Sequence, residues 1–237
     1  MRFVLIATAL AGCGRVRFED GRTGRWPDAS TSSDGTAPHW TLVQTVAGTA
    51  PTLSIASSRA GDLIVVAVQT NTTPVSAIAD DANNTYVPIP QAQASEPSPA
   101  DNLEIWYVAS SLASASTISI TTPSIVATSI WEVAGIRMTN PLDGAAELSA
   151  QSATTTPLGP PIVTTAPGDF VVSVAVVANG VSDVIAGNEF TNDHKTRGNG
   201  WAHLTDPAAP AGMHQAAWNQ GTSGTYCANA AAFFVAP

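Results

Sequence analysis

Two stretches decide the fold: RAGDLIVVAVQT at residues 59–70 and APGDFVVSVAVV at residues 166–177. In each, a Gly-Asp pair precedes a near-continuous apolar run, Leu63 to Val68 in the first and Phe170 to Val177 in the second. Runs of this length and Val content suit strands buried on both faces or set in the middle of a sheet. The echo reaches outward from them. NNTYV (83–87) follows the first as GNEFT (187–191) follows the second, and TSIWEVA (128–134) closes the first half much as AAAFFVA (230–236) closes the second. Two architectures fit: two tandem small domains, or one sandwich whose halves carry equivalent central strands. The joining segment, LDGAAELSAQSATTTPLGPPIVTTAPG (142–168), is not a clean hydrophilic linker. That favours one sandwich over residues 39–237, with the echo at 40–136 and 145–237.

From His39 onward, short runs rich in Val, Ile, Thr, Trp and Tyr alternate with clusters of Gly, Pro, Asn, Asp and Ser. This spacing predicts an all-β sandwich or barrel. Expected strands include WTLVQTV (40–46), LEIWYVAS (103–110), WAHLT (201–205), HQAAWN (214–219) and YCANAAAFFVA (226–236). No stretch has a convincing amphipathic period longer than a couple of helical turns. Charged residues make up 11% of the chain, with a single lysine, Lys195. Soluble domains carry about 25%, and surface helices need charged outer faces, so the composition also argues against helices.

The amino terminus reads MRFVLIATALAGCGR. One positive charge, Arg2, precedes the apolar residues Phe3 to Leu10, the order of a secretory signal, and the run is too short to span a bilayer. Leu10-Ala11-Gly12-Cys13 resembles the lipobox of bacterial lipoproteins. The resemblance implies a signal peptide over 1–12, cleavage before Cys13 and lipid on that cysteine. Acyl burial at about 0.8 kcal/mol per CH₂, over several chains, would hold the mature protein on its membrane. It also implies a place in the bacterial cell envelope. Gly14 in place of Asp after the cysteine fits the enterobacterial rule for export to the outer membrane. An ordinary cleaved signal or a core cysteine is the alternative.

Residues 13–38, CGRVRFEDGRTGRWPDASTSSDGTAP, have no hydrophobic period and read as a flexible polar tether. Such a segment would span on the order of 25–30 Å root-mean-square. It holds Arg15, Arg17, Arg22 and Arg25, leaving the body only Arg59, Arg137, Lys195 and Arg197 as basic residues. An acidic body without a basic stripe is a poor nucleic-acid binder. With Cys13 acylated, Cys227 is left without an intramolecular partner and reads as a small buried hydrophobe.

The body resembles a loosely defined group of secreted bacterial β-sandwich proteins. The resemblance rests on Gly61, Asp62 and Leu63, on Asp80, Asn84, Thr85 and Tyr86, and on Trp106 and Tyr107. It continues through Glu132, Gly135, Asn140, Pro141, Leu142 and Asp143 to Gly168 and Asp169. It implies a single jelly-roll-like sandwich and carries over no active site.

Two constellations bear on chemistry. DDANNTY (80–86) places Asp80, Asp81 and Asn83 within reach of a Ca²⁺ ion, but it lacks the spacing of an EF-hand, and a hairpin turn with side chains bonded to their own backbone explains it as well. Residues 192–220 gather His194, His203, His214, Trp201 and Trp218. On strands, Trp201 and His203 share a side, as do His214 and Trp218. Were these strands neighbours, a Trp/His surface for a ligand such as a sugar ring would form; packing of the tryptophans in the core is the competing reading. Histidine separations fit no zinc motif, and neither a GxSxG elbow nor a phosphate loop is present. Glu104 and Glu132 read as single acids on separate strands, without the carboxylate pair of a glycosidase. No catalytic residue and no cofactor is expected. The sequence therefore points to an envelope-anchored binding or adhesion module for polysaccharide or a surface protein. A structural assembly protein is the alternative, and a jelly-roll hydrolase or lyase the third choice.

Overall fold

The computed structural model describes residues 39–97 and 100–237, with side chains left out at 97 and 100. The leader 1–12, Cys13 and the segment to Pro38 lie outside the described residues. The first Gly-Asp run becomes β3 (Leu63–Asn71) and the second β11 (Phe170–Val177), and each is the central strand of a five-stranded antiparallel sheet. In the first sheet β3 is flanked by β8 (Ile125–Ala134) and β6 (Ala100–Val108), with β1 (Thr41–Gly48) and β5 (Val87–Pro97) at the edges. In the second, β11 is flanked by β17 (Gly224–Phe233) and β14 (Gly200–Leu204), with β9 (Leu142–Thr154) and β13 (Phe190–His194) at the edges.

The two sheets pack face to face. Leu63, Val65 and Ala67 of β3 meet Phe170, Val172, Val174 and Val176 of β11 in one buried cluster, with Trp131, Trp201, Cys227 and Phe233. The alternate residues Ile64, Val66 and Val68 point the other way, into a second core. It is closed by a three-stranded sheet of β2 (Thr52–Ser54), β7 (Thr117–Thr121) and β4 (Ala77–Asp80). Val171, Ala175 and Val177 likewise enter a third core. Two small pairs lie on this outer side: β10 (Ile162–Thr164) with β15 (Gly212–His214), and β12 (Val181–Val184) with β16 (Trp218–Gln220). The central strands are thus covered on both faces, which is why their sequences do not alternate. At about 1.5–3 kcal/mol for each fully buried Val or Leu, these strands carry much of the stabilising burial.

The expected all-β sandwich of two similar halves is what forms, with a further layer on each side. The order of the first half, 1-8-3-6-5 over 2-7-4, returns in the second as 9-17-11-14-13, with β10 and β12 on split counterparts of β7. Each half thus resembles an eight-stranded jelly roll, except that its fifth strand pairs with the sixth and not with the fourth. The stretch read from sequence as a joining segment supplies β9 and β10. HQAAWN, expected as one strand, is divided between β15 and β16. The endings TSIWEVA and AAAFFVA do fall on the equivalent strands β8 and β17. However, Leu63 pairs with Val133 and Phe170 with Phe233, so the structural match is offset by two residues from the textual one. A slip of two keeps every side chain on its own face.

The Gly-Asp pairs open both central strands. Gly61 and Gly168 adopt φ of 88° and 81°, which a residue with a Cβ rarely tolerates. Asp62 and Asp169 follow, both buried. β3 and β11 therefore start at one end of the sandwich, and Asn71 and Val177 finish at the other. Trp40, just before β1, sits at the starting end, its ring edge-on to Phe170 with centroids 5.1 Å apart.

Candidate functional site

The Trp/His surface expected from sequence does not form. Trp201, His203, His214 and Trp218 are all buried, and they divide between layers. Trp201 lies in the core between the large sheets, whereas Trp218 belongs to the outer core beneath the small pairs. Trp201 and His203 do share a side, as period two requires, but that side faces the opposing sheet. β14 pairs with β11 and β13, not with β15 or β16, so the two Trp/His strands are not neighbours. His203 Nδ1 sits 2.9 Å from both carboxylate oxygens of Asp193, which also accepts Trp131 Nε1–H at 2.7 Å. His214 Nδ1 is 3.0 Å from Glu189 Oε2. His214 thus ties β15 to the loop before β13, and Asp193 links His203 to Trp131 of the opposing sheet. Trp218 packs directly on Gly200, where a Cβ would overlap its indole.

The residues weighed for Ca²⁺ spend their oxygens on their own loop. Asp80 accepts the backbone N–H groups of Ala82 and Asn84, the Asn84 amide and the Tyr86 hydroxyl. Asp81 accepts from Ser116 and Thr117, and these bonds hold its carboxyl well below the usual range. Asn83 takes φ of 62°, the left-handed turn conformation. The geometry is that of the turn reading.

A carboxylate pair does exist where the sequence showed single acids. Buried Asp62 lies against buried Glu132, whose oxygens also accept from Gln44 Nε2 and from the Arg59 N–H at 2.8 Å. Burial first, then the Glu132 charge, pushes the Asp62 carboxyl up to about 6. The cavities described below are lined by other residues. Glu104 is occupied separately, accepting Val75 N–H and Trp106 Nε1–H.

The groups best placed to meet a ligand were not singled out from sequence. At the finishing end of β3 and β11, the space between the large sheets opens into a cleft of about 270 Å³. Gln69 continues the inward row of Leu63, Val65 and Ala67, and it ends the apolar core with an amide. Its Oε1 accepts Asn199 Nδ2–H at 2.6 Å, and Asn199 Oδ1 accepts Val177 N–H at 3.3 Å. Asp101, on β6, is buried beside Gln69; burial raises its carboxyl above the usual value, partly offset by a hydrogen bond with Gln69. Asn71, Val126, Val177 and Ala178 complete the wall together with Arg197. Arg197 sits in the 3-10 turn Thr196–Gly198 at φ 59°, ψ 21°, within KTRGNG, a sequence whose glycines permit so tight a reversal.

Two other cavities are larger. One of about 380 Å³ lies over Asn83, Asn84 and Leu112, where Asn84 Oδ1 is already bonded to Leu112 N–H. Another of about 300 Å³, at the starting end, is walled by Ala166, Pro167, Val235 and Pro237, with Arg137 its one charged side chain. The finishing-end cleft alone of the three has several buried polar groups converging on it, the usual mark of a ligand site. In comparisons with protein-family models, with curated proteins and with solved structures, nothing matches this chain.

Proposed function

We propose that this chain is a lipid-anchored module of the bacterial cell envelope that binds a small polar ligand in the cleft between its two halves. What carries the reading is the convergence of buried Gln69, Asn199 and Asp101 on one solvent-open space. Burying a polar group is costly unless it is hydrogen-bonded, and here the bonds tie Gln69 to Asn199 and to Asp101, fixing all three at the opening. The anchor rests on the LAGC sequence at residues 10–13 and the outer membrane on Gly14. The partners expected from the sequence are a polysaccharide or a surface protein, and the cleft narrows the ligand to a small polar molecule. Among the described residues no aromatic side chain lines the cleft, so a sugar would be held there by hydrogen bonds rather than by stacking.

Two measurements test it. Mass spectrometry of the mature protein is expected to find an amino-terminal, acylated Cys13; an unmodified Cys13 removes the anchor. Ala178→Trp places an indole at the exposed rim of the cleft and is expected to abolish binding of any small solute that protects the wild-type chain in thermal-shift screening. Equal protection of both proteins would place the ligand elsewhere.

A second reading, a structural assembly protein without a soluble ligand, is favoured by one observation. Val163 and Met213 pair directly across β10 and β15 and are 63% and 68% exposed, an apolar spot on the outer layer.

A further inference from the structure

The cleft lies on the axis that relates the two halves. Aligning Gly61-Asp62 with Gly168-Asp169 brings Asn71 onto Ala178 at the ends of the central strands. Asp101 pairs with Asn71 on β6. The ladder between β11 and β14, the counterpart of β6, ends where Ala175 meets Gly200, and Arg197 stands three residues before Gly200 in the turn that leads into β14. Asp101 and Arg197 thus stand at the same end of the two halves, one acidic and one basic, and both line the one cleft. They do not neutralise each other. The ion pairs within 4.0 Å among the described residues are Lys195–Asp183, His203–Asp193 and His214–Glu189.

From this geometry, and resting on the binding reading above, we infer that the cleft takes a small zwitterion, with its carboxylate on Arg197, its ammonium on Asp101 and its polar edges on the amides of Gln69, Asn71 and Asn199. A guanidinium matches a carboxylate with two parallel hydrogen bonds, and a buried carboxylate is the natural acceptor for an ammonium. The volume fits: about 270 Å³ is below the ~300–1,000 Å³ of pockets for drug-sized ligands. Val126 and Ala178 leave room for a short apolar side chain, and among the described residues the cleft has none of the ring platforms a neutral sugar prefers. The ligand class is a free amino acid of small side chain.

The test is isothermal titration of the full chain, solubilised in mild detergent, with glycine, L- and D-alanine, L-serine and 4-aminobutyrate. N-acetyl-L-alanine, L-alaninamide and N-acetylglucosamine serve as comparators. At least one free amino acid is expected to bind, and its N-acetylated or amidated form to bind about tenfold more weakly or worse, as loss of one charge-assisted contact requires. Arg197→Gln, at an exposed position, is expected to weaken the amino acid by a similar factor while the melting temperature stays unchanged. Equal binding of the blocked and free forms overturns the inference. Binding of N-acetylglucosamine alone, lost in Ala178→Trp, also overturns it but leaves the binding module standing. No heat with any probe sinks the inference, and no protection by any solute in the thermal-shift screen then takes the module with it.

Discussion

Raising the pH from about 5 to 9 is expected to destabilise this protein, the reverse of the usual rise in stability as carboxylates ionise. Asp169 opens β11 with neither carboxyl oxygen well hydrogen-bonded. Burial first, then the adjacent Asp143 carboxyl, pushes its pKa up to about 8, and the Val235 N–H and Arg137 oppose this only in part. Asp62, at the matching position, is pushed up to about 6. An acid whose folded pKa exceeds its ordinary value of 3.8 keeps its proton more tightly when folded. Its contribution is complete below about pH 4 and is lost as pH rises through the folded value. The loss therefore begins near pH 4 and runs to about 6 for Asp62 and about 8 for Asp169. Two kinds of group work the other way. Asp81 and Asp183 are lowered by their hydrogen bonds, so their contribution is present above about pH 4 and fades below it. Burial lowers His194, whose charging cost disappears as pH rises past about 6.5. The maximum should fall near pH 5. Since each tenfold in proton affinity is worth ~1.4 kcal/mol, the decline to pH 9 should reach a few kcal/mol. Urea midpoints across the pH range measure it. Asp169→Asn should flatten the segment between pH 6 and 9, and Asp62→Asn the segment between 4 and 6. Parallel declines in wild type and Asp169→Asn would show that Asp169 is not the source.

Replacing Asn229 with Ala should cost about 3–5 kcal/mol, among the largest effects of a single substitution. Asn229 is fully buried on β17, yet all its side-chain hydrogen bonds cross to the other sheet. Its Nδ2 donates to Ala92 O and Leu103 O, both at 2.7 Å, and its Oδ1 accepts Ala94 N–H at 3.2 Å. The β5–β6 ladder breaks between Pro88 and Gln93, and this amide serves backbone groups at the end of the break. Further along β5, Gln93 N–H and Ser95 N–H donate to Glu147 and Ser149 of β9. The two sheet edges are thereby joined by side chains. Alanine would strand those backbone groups away from water. Asp at this position should be worse at neutral pH, because both Nδ2 partners are carbonyl oxygens. A urea midpoint for Asn229→Ala within 1 kcal/mol of wild type, a limit set on the ~1 kcal/mol net value of one hydrogen bond, would refute the bridging role.

The central strands were readable because their burial is continuous, and a run such as LIVVAV admits few other states. β9 was not, since LDGAAELSAQSAT is a partly exposed edge whose Leu142, Ala145 and Leu148 only reach the margins of two cores and whose Glu147 and Ser149 serve β5. The period-two argument correctly put Trp201 and His203 on one side. It could not tell which sides were covered, and here a second layer covers both. The cleft was hidden for a related reason. Gln69 and Asn199 are 130 residues apart and meet only through the pairing of the halves. In hindsight the traces were local: an amide ending the apolar run of β3, an Asn between two glycines in RGNG, and an Asn inside YCANAAAFF.

The polarity of the sandwich decides how the protein would present itself. The described chain enters at Trp40, beside the start of β11, whereas Gln69, Asp101 and Arg197 lie where the central strands finish. A nine-residue strand such as β3 separates these two ends by about 30 Å. A chain segment leading from Cys13 would therefore join the body at the end opposite the cleft, leaving the opening clear of the attachment. A tether grafted to the carboxyl terminus instead would also join the body away from the cleft. Pro237 follows Phe233, which pairs with Phe170 at the same end.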